Sequence, residues 1–283
     1  MLTRSLSRQL GFSLMELAVV LVIVALLLGG LLVPFGTQRD VEFMRATEKS
    51  LVEIREALIG FAAINGRLPC PAQGSIASGV ANAGMEARTA DLANCACAAA
   101  SSPGVATVVA SGGIACAAAL SSDSVGGVLP WATLGLLETD AWGNRYTYHV
   151  SSFYARGINS AQILFGASCT PTTTPTNAAF ALCTPGAIGL LTAASGGTTL
   201  ASTVPAIVLS HGGSRQGGYS TQGTLLAIDP DDANVAENVN RAAKRENANG
   251  DATFVSNTTI EDRLMWIAAP QLMSRMMTAG KLP

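Results

Sequence analysis

The chain has 283 residues, room for one large domain or two small ones, and its net charge of -2 removes the basic surface that nucleic-acid binding needs. Only 13% of the residues are charged, against roughly 25% in typical soluble domains, while 49% are hydrophobic, so disorder driven by charge is excluded. A positive mean hydropathy with so little charge fits a chain partly in lipid or partly covered by neighbours. Aromatic residues are 5%, so a core must rest on Ala, Val, Leu and Ile, and 29 Gly with 12 Pro argue for turns rather than a helical bundle.

Residues 17–33 form an uninterrupted apolar run, LAVVLVIVALLLGGLLV, which Phe12, Leu14 and Phe35 extend at its two ends. At about 1.5 Å per residue such a helix spans roughly 35 Å, slightly more than a hydrocarbon core of about 30 Å. Arg4 and Arg8 precede it without an acid, which keeps that end in the cytoplasm and sends the rest of the chain to the far side. A secretory signal peptide has an apolar core of about 7–15 residues followed by a small-x-small cleavage site. This run is longer, and residues 33–40, VPFGTQRD, contain no such site. A plain signal anchor fits the length but leaves Glu16 unexplained, because a carboxylate at the edge of a membrane helix normally has a partner. A carboxylate snorkelling to the cytoplasmic interface is the simplest alternative.

Gly11-Phe12-Ser13-Leu14-Met15-Glu16, behind a short basic leader, resembles the processing site of the type IV prepilin and pseudopilin family. The resemblance implies cleavage after Gly11 by a membrane prepilin peptidase, followed by N-methylation of Phe12. The cut precedes the apolar run, so the mature chain keeps its helix. An unbranched glycine at the cut gives a protease close access to the backbone. The resemblance further implies that Glu16 meets the amine of Phe12 of an adjacent subunit during assembly. Such a pair in low dielectric is favourable only with good geometry, so it sets register more than it supplies adhesion.

Pro34, near the end of the apolar run, is expected to kink the helix or weaken a turn. Beyond it, residues 37–64 are helical in character. Met44, Leu51 and Leu58, with Ile54 and Phe61, recur at three- and four-residue steps as one apolar stripe, and Glu42/Arg45, Arg45/Glu48 and Lys49/Glu53 pair weakly on the other side. Packing of the stripe against a globular domain follows. Asn65-Gly66 and the prolines of Leu68-Pro69-Cys70-Pro71 end the helix. A continuous helix from residue 12 to about residue 64 would be roughly 80 Å long. The expected organisation is a basic leader over 1–11, a helix over 12–66 that spans a membrane over 12–35 and is amphipathic over 37–64, and a periplasmic α+β domain over 67–283.

Residues 72–127 are rich in Ala, Gly and Ser and read as a long surface loop region with one or two short elements. Residues 140–144 form a turn into a strand in which Tyr146, Tyr148 and Val150 alternate. Residues 162–165, 206–210, 223–228 and 253–256 are further strand candidates. Thr258 with Glu261, or Thr259 with Asp262, can cap a helix reaching Ile267. Pro270 then opens a second helix over 271–278, closed by Gly280. The segment Asp140-Ala141-Trp142-Gly143-Asn144-Arg145-Tyr146 resembles the D-P-W-G-N-x-Y segment of the major pseudopilins of type II secretion, with Ala141 in place of the proline. That subfamily orders a C-terminal loop with calcium. Here Asp229, Asp231, Asp232 and Asp251, with Asn247 and Asn249, lie in the corresponding half, but they match neither an EF-hand nor the subfamily's spacing. A solvated acidic turn is the expectation and calcium the alternative, and no other cofactor is expected.

The six cysteines, Cys70, Cys95, Cys97, Cys116, Cys169 and Cys183, all follow the apolar run, and in an oxidising compartment they form disulfides with fifteen connectivities open. Cys169–Cys183, flanking a Thr/Pro-rich loop, is the favoured pair, and Cys95 and Cys97 are expected to bond elsewhere than to each other. A zinc site lacks a second ligand pair. Ser210-His211 lacks the nucleophile elbow, and adjacent Ser and His do not align as nucleophile and base. His149 is expected to face solvent or a neighbouring strand. The glycines at 212–218 lack the P-loop lysine. Trp131, Trp142 and Trp266 read as packing residues, and no catalytic constellation remains.

The expected fold class is α+β and pilin-like, a long N-terminal membrane-spanning helix packed on a C-terminal domain with an antiparallel sheet. The expected function is structural and not enzymatic: a subunit, minor by its length, of a type IV pilus or type II secretion pseudopilus. Its expected partners are the prepilin peptidase, other pilin or pseudopilin subunits, the inner-membrane assembly platform and membrane lipid, with no nucleic acid. The expected location is the bacterial inner membrane, single-pass, or a filament at the cell surface. A membrane-anchored periplasmic binding protein or adhesin that never polymerises is the alternative.

Overall fold

The computed structural model describes residues 13–88, 95, 124–158, 177–193, 196–227, 253–256 and 262–282, and the side chains of residues 27–37 lie outside the description. The chain divides into two compact units, Met1–Phe43 and Met44–Pro283. Helix α1, Leu14–Asn65, contributes to both and is one helical element through Pro34, so the proline does not end it. Among the described residues no helix is long and apolar enough to cross a membrane. The described side chains of the apolar run stop at Leu26, which leaves about 20 Å of helix counted from Leu14.

In the larger unit the remaining elements follow in chain order: β1 (Ser124–Val128), α2 (Trp131–Leu134), β2 (Asn144–Arg145), β3 (Thr147–Ser151), α3 (Ser152–Ala155), β4 (Ile188–Leu191), β5 (Thr199–Val204), β6 (Ala206–Ser210), β7 (Tyr219–Ser220), β8 (Thr253–Val255), β9 (Arg263–Ile267) and α4 (Ala269–Thr278). The main sheet has the order β1-β3-β6-β9 with every pair antiparallel. A second sheet has the order β5-β4-β8, in which β4 and β8 run parallel, and β2 pairs with β7 as a short ribbon.

Strand alternation assigns the two faces of the main sheet. Tyr148 and Val150 of β3, Ala206 and Val208 of β6 and Met265 and Ile267 of β9 join Leu51, Ile54, Leu58 and Ile59 of α1 and Leu272, Met273 and Met276 of α4 in one buried cluster. Each such side chain contributes about 1.5–3 kcal/mol when fully buried, so the expected stripe on α1 is what attaches the helix to the sheet. On the opposite face Ile207 and Leu264 pack with Ile188, Leu190, Val204 and Phe254 of the second sheet. That second layer explains His149: it is 1% exposed and meets the Phe254 ring edge-on at 5.3 Å between centroids. The main sheet therefore lies between helices and a second sheet.

α1 ends as its residues dictate. Asn65 Nδ2 donates to the Phe61 carbonyl at 3.0 Å, and Gly66 turns away with φ of +70°. A Cβ at Gly66 would run into the Asn177 carbonyl, so this exit needs glycine on two counts. α4 carries Pro270 in its first turn and closes at Gly280, as expected.

Other expectations are corrected. β9 stands where a capped helix through Ile267 was expected: Met265 and Ile267 are buried while Trp266 between them is 36% exposed, the period of a strand. β1 begins at the end of the stretch read as a loop region with one or two short elements, and its position was not foreseen because SVGGV hides strand character behind two glycines. Among the described residues of 223–228, only Leu225 makes a bridge, to Tyr219. The candidate strand 162–165 lies outside the described residues.

Candidate functional site

The amino-terminal end of α1 carries the first group of site residues. Gly11 and Phe12 lie outside the described residues, and Glu16 lies within them. The Ser13 backbone N–H donates to Glu16 Oε2 at 2.9 Å, and the Glu16 N–H donates to Ser13 Oγ at 3.2 Å. This reciprocal pair is a capping box, which satisfies two of the donors that every helix start leaves open. Its carboxylate also sits at the positive end of the helix dipole. The S-x-x-E spacing was readable in the sequence, and its helix-starting meaning was missed. Beyond the cap, residues 14–26 are all exposed, Leu14 at 89% and Leu26 at 72% among them. An apolar helix surface of this extent is not left in water.

The second group is the segment 140–146, in the larger unit. Asp140 Oδ1 accepts the N–H groups of Trp142 at 3.0 Å and Asn144 at 2.9 Å, closing the turn, while Gly143 adopts φ of +84°. Asp140 Oδ2 accepts the Ser210 hydroxyl at 2.6 Å, and Asn144 Nδ2 donates to the Gly212 carbonyl at 3.1 Å. Burial raises the Asp140 carboxyl, opposed by Ser210 and the turn's N–H groups. Next to this turn, the Ala141 N–H donates to Thr47 Oγ1 on α1 at 3.4 Å. Burial pushes the Tyr146 hydroxyl up to about 12, against the effect of nearby Ser50 on the same helix. The segment thus ties α1 to the ends of β2 and β6.

Arg145 is the hub of that tie and is fully buried. Its Nε donates to Glu138 Oε1 at 2.8 Å, and one terminal nitrogen donates to the carbonyls of Gly74 at 2.8 Å and Ile76 at 2.7 Å. The other donates to Ser78 Oγ at 3.2 Å and the Thr221 carbonyl at 3.1 Å. The Trp131 ring lies 4.6 Å below the guanidinium carbon. Ser78 also donates to Glu138. Only an arginine has the planar fork to serve so many acceptors.

A similar latch holds the exit of α1. Arg67 donates to both Glu86 oxygens at 2.8 and 2.7 Å, and Glu86 also accepts the Cys70 N–H at 3.1 Å. Burial acts to raise the Glu86 carboxyl, but Arg67, Cys70 and Arg88 outweigh it and the net shift is downward. Cys70 is bonded to Cys95 across 25 residues. Cys183 is also in a disulfide, with a partner outside the described residues, and Cys97, Cys116 and Cys169 lie outside them as well.

One further constellation joins three elements. Thr147 Oγ1 lies 2.8 Å from His211 Nε2, and His211 Nδ1 lies 3.8 Å from Asp262 Oδ1. The order hydroxyl, imidazole, carboxylate is that of a nucleophile with its base. However, Thr147 and His211 are each 1% exposed, Asp262 is 6% exposed, and the second distance exceeds a hydrogen bond. The Thr147–His211 contact ties β3 to the residue that follows β6, and the burial gives a substrate no access to the hydroxyl. The acidic and amide residues weighed for calcium, Asp229, Asp231, Asp232, Asn247, Asn249 and Asp251, lie outside the described residues.

Residues 6–32 match the family model of the prokaryotic N-terminal methylation motif. This motif is the prepilin-type cleavage and methylation segment of pilins and pseudopilins, and it marks the chain as a pilin-like or pseudopilin-like processed protein. It implies a membrane-anchored amino terminus, processing by prepilin peptidase and assembly with other pilin subunits. No curated protein and no solved structure matches the chain.

Proposed function

We propose that the chain is a structural subunit, minor rather than major, of a type IV pilus or type II secretion pseudopilus. In this reading the prepilin peptidase cuts after Gly11, Phe12 becomes the methylated amino terminus, and the apolar run 17–33 holds the subunit in the inner membrane until assembly. The domain that follows lies in the periplasm and carries no catalytic task. Filament assembly exchanges lipid around residues 14–26 for helices of neighbouring subunits, and Glu16 sets the register against a partner's amine.

The observation that carries this reading is the methylation motif at residues 6–32, which takes in the start of a helix whose residues 14–26 are exposed. The test is to shear surface filaments, or to isolate pseudopili from cells overproducing the secretion machinery, and to probe them for this chain. Co-purification with the filament is expected. A processed chain that stays wholly in the membrane under every assembling condition would point to the non-polymerising anchor instead.

A further inference from the structure

We propose that two bulges in β5 guard the outer edge of the second sheet, keeping this strand from pairing with the same strand of another copy of the chain. The inference concerns the larger unit alone and goes beyond the filament-subunit reading, so it holds whether or not the chain polymerises. β5 is an outer strand of its sheet, and with six residues it is the longest strand among those described. Thr199, Leu200, Ser202 and Thr203 are exposed, Leu200 at 49%. Among the described residues no strand pairs with its outer side. Its sequence, TLASTV, has no charge, no proline and no glycine. A segment of that length and composition is the kind that stacks on copies of itself, and an open edge supplies the template.

The usual guards on such an edge are a charge, a covering segment, short length or a bulge. β9 carries Arg263, β8 has only three residues, and β1 exchanges both hydrogen bonds of Val128 with Ala72 at 2.9 and 3.0 Å. β5 has only its irregular register. Thr199 faces Leu191, Ala201 faces Leu190 and Val204 faces Ile188. Between the first two pairs β5 advances two residues while β4 advances one, which leaves Leu200 extra. Between the second and third it advances three while β4 advances two, which leaves one more extra residue at Ser202–Thr203. Thr203 also has φ of +57°, a costly conformation for a β-branched residue. Its carbonyl occupies the place that a Cβ at Gly186 would need, so a glycine opposite makes room for the bulge. Two bulges in six residues bend and twist the strand, so a second regular strand cannot follow it along its length. The bulge at 202–203 has another task as well, since β5 there leaves the second sheet and crosses Pro205 into β6 of the main sheet. The bulge at Leu200 lies at the far end of β5 from that corner and does not serve it. That bulge carries the inference.

The experiment follows amide hydrogen exchange over residues 199–204 of the full chain in micelles, from dilute to crowded. Because the readout is confined to β5, contacts between the apolar helices of different copies do not enter it. In the wild type, exchange there is expected to be the same at both ends of the series. Slowing with concentration in the wild type overturns the inference, and this readout needs no variant to fold. Deleting Leu200 removes the first bulge without taking a buried residue, and exchange over the strand is then expected to slow about tenfold as copies crowd. Adding Ser202→Lys to that deletion puts a charge on the edge, and the slowing is expected to vanish. A folded deletion variant whose exchange ignores concentration overturns the inference, as does slowing that survives Ser202→Lys. If the deletion variant does not fold, the wild-type series and Thr203→Gly decide. Thr203→Gly relieves the backbone at the second bulge and is expected to raise the folded-to-unfolded ratio about fivefold without association. A loss of stability in Thr203→Gly would contradict the bulged geometry and the inference with it.

Discussion

The Ser210 hydroxyl donates to Asp140 Oδ2 at 2.6 Å across a separation of 70 residues, so the end of β6 is tied to the turn that precedes β2. The other carboxylate oxygen is occupied by that turn's own N–H groups, and one side chain therefore closes the turn and fastens it to the sheet. Ser210→Ala leaves the buried carboxylate one donor short, at a cost of about 1.5–3 kcal/mol. Denaturant unfolding of the processed chain in micelles reads this directly. An unchanged midpoint would show that the contact does not hold the turn.

Arg145→Lys should cost more than that. A lysine keeps the charge but loses the fork, so the carbonyls of Gly74, Ile76 and Thr221 cannot all keep a donor, and stacking on Trp131 weakens. Each buried carbonyl left without a donor costs about 1–3 kcal/mol, and more than one is left so. The same unfolding measurement decides it, with a loss under about 1 kcal/mol counting against the hub role.

The Arg67–Glu86 pair sets a pH dependence of known sign. The folded carboxyl is lowered from its usual value of 4.5, so its contribution is present above pH 4.5 and is lost as the pH falls through the lower folded value. Asp140 runs the other way: its carboxyl is raised from 3.8, so its contribution is greatest below that pH and shrinks as the pH rises. Glu86→Gln should therefore be less stable than wild type at pH 7 by about 1–3 kcal/mol. The gap between the two proteins should close in acid. A gap that is constant from pH 7 to about pH 3 would remove Arg67 as the cause.

Cys70→Ser opens the bridge to Cys95. Loss of a cross-link of this span costs roughly 2–4 kcal/mol. Peptide mapping without reduction should recover Cys70 joined to Cys95 and find Cys183 in a different bridge. A Cys70–Cys183 peptide would contradict the fold at the α1 exit.

How much of this was legible in the sequence differed by element. The amphipathic stripe on α1 needed only spacing, and Leu51, Ile54 and Leu58 are buried as that spacing requires. Residues 206–210 were readable as a strand because apolar and β-branched residues crowd there. β5 was not, since Thr199–Val204 is mostly exposed and offers little burial to read. β9 failed for a different reason: local capping signals at 258–262 suggested a helix, and pairing along the whole of β6 outweighed them. At the site, the segment 140–146 was legible as a turn leading into a strand. The roles of Ser210, Glu138 and Glu86 depend on partners distant in sequence, which no local pattern can supply.

Processing at the amino terminus is the event on which the subunit reading depends, and mass spectrometry of the membrane-bound protein from wild-type cells tests it most directly. A chain beginning at Phe12 and carrying one added methyl group on its amine is the expected result. A chain beginning at Met1, with residues 1–11 still attached, would contradict it.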